Sequence, residues 1–183
     1  TDACMSEVLF REAVTRDNTR MKIATIETFD LTCPLDRPFG WSQGWIDQRG
    51  TTLVKITTDN GLAGWGEGAE SSIINHLLGP LLIGANPMDR AGLWERMFHA
   101  LYNGNNAVGL AGSALSALDI ALWDLAGKAA NLPICTLLGG KIRDKVAVYA
   151  TGLYYTEGEF PDRLLDEAHS YVEQGFTGMK TKV

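Results

Sequence analysis

Two lysines separated by one residue, Lys180-Thr181-Lys182, are the pair in this sequence best suited to moving a proton. Side chains alternate faces along a strand, so residues 180 and 182 project the same way. Two ammonium groups on one face disfavour each other's charge. That favours a neutral amine able to take a proton near neutral pH. Taken alone, the same tripeptide is common and reads better as an ordinary charged segment. Its meaning depends on the elements that position it.

Upstream of the pair, Pro161–Gln174 has the pattern of an amphipathic helix, with Leu164, Leu165, Ala168, Tyr171 and Val172 inward. Gly175 ends it, and Gly178–Val183 reads as a strand. An earlier strand is expected over Val146–Thr151. Strand, helix and strand of these lengths make a βαβ unit with parallel strands. Tyr149 and Thr151 then share a face of the earlier strand.

The N-terminal half has a different grammar. Lys22–Cys33 reads as a strand broken by Pro34 and Pro38, followed by a loop over Leu35–Arg49 that carries Trp41, Gly44 and Trp45. Thr51–Thr58 is a second strand. Asp59-Asn60-Gly61 signals a tight turn into a third over Leu62–Gly66. The three form an antiparallel meander. Helices follow. A short one over Ser71–Leu78 stops near Gly79-Pro80. A second is capped by Asn86, with Pro87 in its first turn and Trp94, Met97, Phe98 and Leu101 at helical spacing. After a Gly/Asn-rich loop over Tyr102–Gly109, the strongest helix runs from about Gly112 to Ala130. Leu115, Leu118, Leu122, Leu125 and Ala129 form its stripe, and Asp124 and Lys128 make an i,i+4 pair. Asn131 and Pro133 end it. Residues 1–20 read as a polar tail with a possible short helix over Glu7–Val14, and Met21 is a candidate start.

Composition removes some functions. The net charge of -6 argues against a nucleic-acid binder, which needs a basic face. No apolar run of the length that a membrane span needs is evident. Cys4, Cys33 and Cys135 are too widely spaced for a zinc site, and their odd number argues against a disulfide framework. They are expected to be small buried or half-buried thiols, reduced in a cytoplasm. His76, His99 and His169 fall in separate predicted helices, and no pair has ligand spacing, so none is assigned to metal.

The segment Ala114–Gly139, ALSALDIALWDLAGKAANLPICTLLG, resembles the helix-and-turn signature of the mandelate racemase and muconate lactonizing family of the enolase superfamily. Ala114, Asp119, Ala121, Asp124, Gly127, Lys128, Pro133, Leu137 and Gly139 carry the match. Gly64-Trp65-Gly66-Glu67 looks like part of that family's capping domain, and Lys180-Thr181-Lys182 looks like its Lys-x-Lys motif. Most of the signature packs the helix, so Asp119 and Asp124 are expected to be structural, and Glu67 likewise.

The resemblance implies an α+β capping domain over residues 21–140, made of the three-stranded antiparallel meander plus helices. The start of a (β/α) TIM-type barrel would follow over 141–183, truncated after its second strand. It implies magnesium-dependent abstraction of a proton α to a carboxylate, through an enediolate, as in racemases, epimerases, cycloisomerases or acid-sugar dehydratases. Lys182 would be the base, and Lys180 would hold it in place and favour its neutral form. Thr151 matches a substrate-contacting hydroxyl in some relatives; a barrel-filling residue is the other reading. Trp41 and Trp45 resemble a lid over the substrate, and would otherwise be anchors on the domain's own surface. The Mg2+ ligands would lie on later strands, beyond residue 183, in a longer polypeptide. The expected partner is a small carboxylate substrate, and the expected assembly a homo-oligomer. The alternative is an enolase-like binding or assembly protein without catalysis.

Overall fold

The computed structural model describes residues 20–102, 108–159 and 161–182. The N-terminal tail, where a short helix over Glu7–Val14 is one expectation, most of the loop between Tyr102 and Gly109, and Val183 lie outside the described residues. The chain divides into two compact units, one of residues 20–31 and 51–140, the other of 32–50 and 141–182.

A three-stranded antiparallel sheet opens the chain: β1 (Ile23–Trp41), β2 (Gly44–Thr58) and β3 (Ala63–Gly68), in that order. The Asp59-Asn60-Gly61 turn forms as its residues dictate. Gly61 sits at φ 83°, and the Asn60 side chain accepts from the Thr58 hydroxyl (2.7 Å) and the Leu62 N–H (3.2 Å). The first strand departs from expectation. It does not break at Pro34 but runs on to Trp41, and only Ser42 and Gln43 separate it from β2. The expected loop over Leu35–Arg49 is therefore a long hairpin. β1 is an edge strand, where a proline's missing N–H costs no ladder bond if it faces away from the neighbour.

Behind the sheet, α1 (Ser71–Ile73) passes into a π turn (Ile74–Leu78) and a 3-10 turn (Gly79–Leu81). A Cβ on Gly79 would lie 2.7 Å from the Ile74 carbonyl oxygen, so glycine permits the wide turn. α2 (Arg90–Tyr102) starts later than Asn86. Asn86 instead folds a turn ahead of the helix, its side chain accepting from the Met88 N–H at 3.0 Å. Leu93, Met97 and Leu101 face the core, while Trp94 and Phe98 stack with ring centroids 5.0 Å apart.

The long helix α3 (Gly109–Ala130) lies directly on β3. Gly64, Gly66 and Gly68 share one face of that strand, and a Cβ on each would come 2.2, 1.9 and 2.5 Å from the carbonyl oxygens of Ala121, Ala117 and Ser113. Alternate glycines on the strand and small residues at i, i+4, i+8 on the helix let the two backbones touch. Leu115, Leu118, Leu122 and Leu125 fill the core with Val54, Ile56, Ile74 and Met97. The 22-residue α3 is, contrary to the sequence reading, long and apolar enough to cross a membrane. Its leucine stripe is instead buried in this core, while Leu110 and Ile120 are exposed. Asn131 closes the helix at φ 52°, with its N–H and that of Leu132 returning to the Lys128 and Gly127 carbonyls. A short α4 (Ile134–Leu137) follows.

In the second unit, β4 (Ala150–Thr151) and β5 (Met179–Lys180) pair in parallel across α5 (Asp162–Glu173). Both strands are shorter than expected. Val146, Val148 and Tyr149 are exposed, and no described neighbour extends the ladder to them. α5 forms as expected, but Leu165 and Val172, expected inward, are 53% and 61% exposed. Cys33 and Cys135 also depart from expectation. Both are free thiols, yet both are exposed, not buried.

Candidate active site

The second unit gathers the residues that could do chemistry. Thr151 of β4 faces Lys180 of β5 across the parallel ladder, and the Gly152 N–H donates to the Lys180 carbonyl at 3.1 Å. Lys182 lies just beyond the strand, with Nζ 5.1 Å from the centroid of the Trp41 ring. Lys180 and Lys182 are exposed among the described residues. The intervening Thr181 donates its hydroxyl to the Leu153 carbonyl at 2.8 Å.

The chain turns sharply after β4. Leu153 holds φ 57°, a left-handed conformation unusual for a branched side chain. Gly152 is pressed against α5, where a Cβ would meet Glu167 Oε1 and the Tyr171 hydroxyl at 2.4 Å. Tyr171 donates to Glu167, and this bond, with burial and the carboxylate charge, pushes the phenol up to about 12. The bond lies within α5, and it is the missing Cβ of Gly152 that lets this face of the helix approach the end of β4.

The tip of the β1–β2 hairpin is clasped to the segment after β4. Gly40 and Tyr155 exchange two backbone hydrogen bonds of 2.9 Å. The Phe39 and Tyr154 rings lie 4.6 Å apart, and the Arg49 guanidinium sits 4.9 Å from the Phe39 ring. Arg37 pairs with Glu159 at 3.0 Å, and Arg163 pairs with the same carboxylate at 2.9 Å. The Arg163 hydrogen bond, with the charge of Arg37, holds Glu159 below the usual carboxylate range against a smaller opposing effect of burial. This clasp carries Trp41 to Lys182. Trp45 packs on the hairpin itself, 2.7 Å from where a Gly40 Cβ would stand, and is otherwise 55% exposed.

The clasp was not legible in the sequence. Tyr154, Tyr155 and Glu159 have no spacing that points to the hairpin, and Leu153 has no turn signature. An aromatic run before a charged segment was the one signal available.

In the first unit the acidic residues of the long signature do structural work. Asp124 accepts from the Trp65 backbone N–H (2.8 Å) and from Lys128 (2.7 Å), while Lys128 also donates to the Ala63 carbonyl (2.9 Å). This ties α3 to the edge of β3. Asp119 lies beside Arg90 and Trp123. Burial raises its carboxyl, opposed by the Arg90 charge and a hydrogen bond with Trp123. Glu67 accepts from the Thr51 hydroxyl at 2.8 Å. Among the described residues, no group of three or more His, Cys, Asp or Glu side chains could hold a metal ion. The magnesium that the resemblance implies therefore finds no ligand set among the described residues.

Residues 23–139 match the N-terminal domain of the mandelate racemase / muconate lactonizing enzyme family. The chain belongs to that family, within the enolase superfamily. It is 35% identical over 170 residues to the D-galactarolactone cycloisomerase of Agrobacterium fabrum, covering 89% of this chain and 44% of that one. It is 39% identical over 138 residues to the arabinonate dehydratase of Saccharolobus solfataricus, covering 71% of this chain and 36% of the other. A member of the enolase superfamily from Polaromonas sp. JS666 superposes with a TM-score of 0.78 at 31% identity, over 88% of this chain and 44% of its own. The chain thus spans less than half the length of the curated relatives it matches.

Proposed function

We propose that this chain is the N-terminal portion of an enzyme that removes the proton α to a carboxylate, through an enediolate, from an acid sugar or hydroxy acid. One observation carries the reading most directly. Lys180 pairs with Thr151 at the end of a parallel strand, and Lys182 follows two residues on, in a chain that belongs to a proton-abstracting family. The likeness to a galactarolactone cycloisomerase and an arabinonate dehydratase supports acid sugars as the substrate class.

In this reading Lys182 takes the α-proton, and Lys180 keeps it oriented and meets the substrate carboxylate. Thr151 offers a hydroxyl to the substrate, and Trp41 and Trp45 close the hairpin over it. Residues 141–183 begin a parallel barrel, whose later strands supply the magnesium ligands. Magnesium, when bound there, would neutralise charge developing on the carboxylate. The working enzyme is a cytoplasmic homo-oligomer.

The test is α-proton exchange. The complete polypeptide that carries these residues is incubated in D2O with magnesium and a panel of sugar acids, sugar lactones and simple hydroxy acids. Deuterium at the α-carbon of at least one acid is expected by NMR. No exchange with any of them, while magnesium still binds, would leave only the non-catalytic alternative.

A further inference from the structure

The expected role of Trp41 is contact with substrate. The geometry points to a second one: we infer that Trp41 is a positioning residue for Lys182, its ring holding the ammonium form of that side chain at the mouth of the site. The inference rests on the proposed assignment of Lys182 as the base.

Three observations support it. The Lys182 amine lies 5.1 Å from the Trp41 ring centroid, within the range in which the negative face of an indole attracts a cation. Among the described residues, no carboxylate forms an ion pair with Lys182, and the Trp41 ring is the group that meets its charge. The backbone that carries the ring is also held. Trp41 follows Gly40, whose N–H and C=O are both bonded to Tyr155, and the next turn is only Ser42-Gln43. The clasp thus anchors the backbone beside the indole, and the indole face meets the amine.

The consequence is chemical. A π face attracts an ammonium group and covers one side of it. It therefore restrains Lys182 until something displaces the ammonium from the ring. A substrate carboxylate entering beside Lys180 is the group with the charge to do so. Trp41 would then separate a resting lysine from a working one, and the lysine's reactivity in the unliganded chain would report on the ring.

The experiment uses the chain itself and needs no turnover. Lys182 and Lys180 are acylated with a limiting N-hydroxysuccinimide ester at fixed pH, and the two sites are quantified by peptide mass spectrometry. Trp41→Leu should speed acylation at Lys182 by about two- to fivefold, the size of an exposed cation–π contact, with Lys180 unchanged. Trp41→Phe, which keeps an aromatic face, should recover most of the wild-type protection. Because Trp41→Leu could loosen the hairpin, a second measurement leaves Trp41 in place. In protein labelled with 5-fluorotryptophan, Lys182→Met should shift the Trp41 resonance and leave the other four tryptophans where they are. The inference is overturned if Lys182 acylates at the same rate in all three proteins, if Lys180 accelerates equally, or if the Trp41 resonance does not move. α-Proton exchange that persists in the complete enzyme carrying Lys182→Met, with these readouts intact, would count against the base assignment alone.

Discussion

Gly66→Ala should be the most damaging single-methyl change in the first unit. Gly66 faces Val54 across β2–β3 and lies under α3. A Cβ placed there would stand 1.9 Å from the Ala117 carbonyl oxygen and 3.0 Å from both the Ala117 carbonyl carbon and the Ala121 nitrogen. All three are backbone atoms of a helix, so no side chain can rotate away. An ordinary carbon–oxygen contact needs about 3.3 Å, so strand and helix must separate by roughly 1.4 Å. A gap of that size forfeits at least half the dispersion attraction of the atoms on each side. Overpacking of a well-filled core costs about 1–3 kcal/mol, and a rigid backbone clash belongs at the top of that range or above it. A loss of about 3 kcal/mol lowers Tm by roughly 6–12 °C in a chain of this size. The matched control is Gly92→Ala in α2, where nothing lies within 4 Å of the new methyl. That change should stabilise by about 0.5–1 kcal/mol. Far-UV circular dichroism melts of the three proteins would decide. A Gly66→Ala protein melting within about 2 °C of the wild type would refute the claim that strand and helix meet backbone to backbone.

Two further outcomes follow from the same unit. Asp124→Ala should cost about 1–3 kcal/mol by urea denaturation, because the Trp65 N–H and the Lys128 ammonium both lose their acceptor. Asp124→Asn should recover part of that loss through its amide oxygen, and equal losses in the two variants would contradict the pinning role. Asp119→Asn should show a pH signature. Burial raises the Asp119 carboxyl above its ordinary value of 3.8, so the folded state holds that proton to higher pH than the unfolded chain does. Wild-type stability therefore falls as pH rises from 3.8 through the folded value, and an asparagine has no such loss. The variant should gain on the wild type in denaturation midpoint as pH rises from 3.8 through the folded value, and a constant or narrowing gap would show that burial does not dominate there.

Much of the first unit was legible because its signals are local. Asn60-Gly61 dictates a turn, Asn131 accepts a left-handed cap, and the leucine stripe of α3 has one possible face. The long hairpin was not legible, because Pro34 and Pro38 break a central strand but not an edge strand, and edge position belongs to topology. Asn86 misled for a related reason: its side chain serves a turn as well as a helix cap, and the turn won. The parallel pairing of β4 with β5 followed from strand, helix and strand order, but the register of Thr151 with Lys180 did not. The clasp between the hairpin tip and Tyr154–Glu159 did not, since contacts across more than a hundred residues leave no spacing to read.

The central claim is that Lys182 removes the α-proton, and Lys182→Ala in the complete polypeptide tests it most directly. With an acid that the wild type exchanges in D2O, the variant should show no deuterium at the α-carbon while keeping its melting temperature and its magnesium binding. Exchange that persists in a folded Lys182→Ala protein would place the base elsewhere.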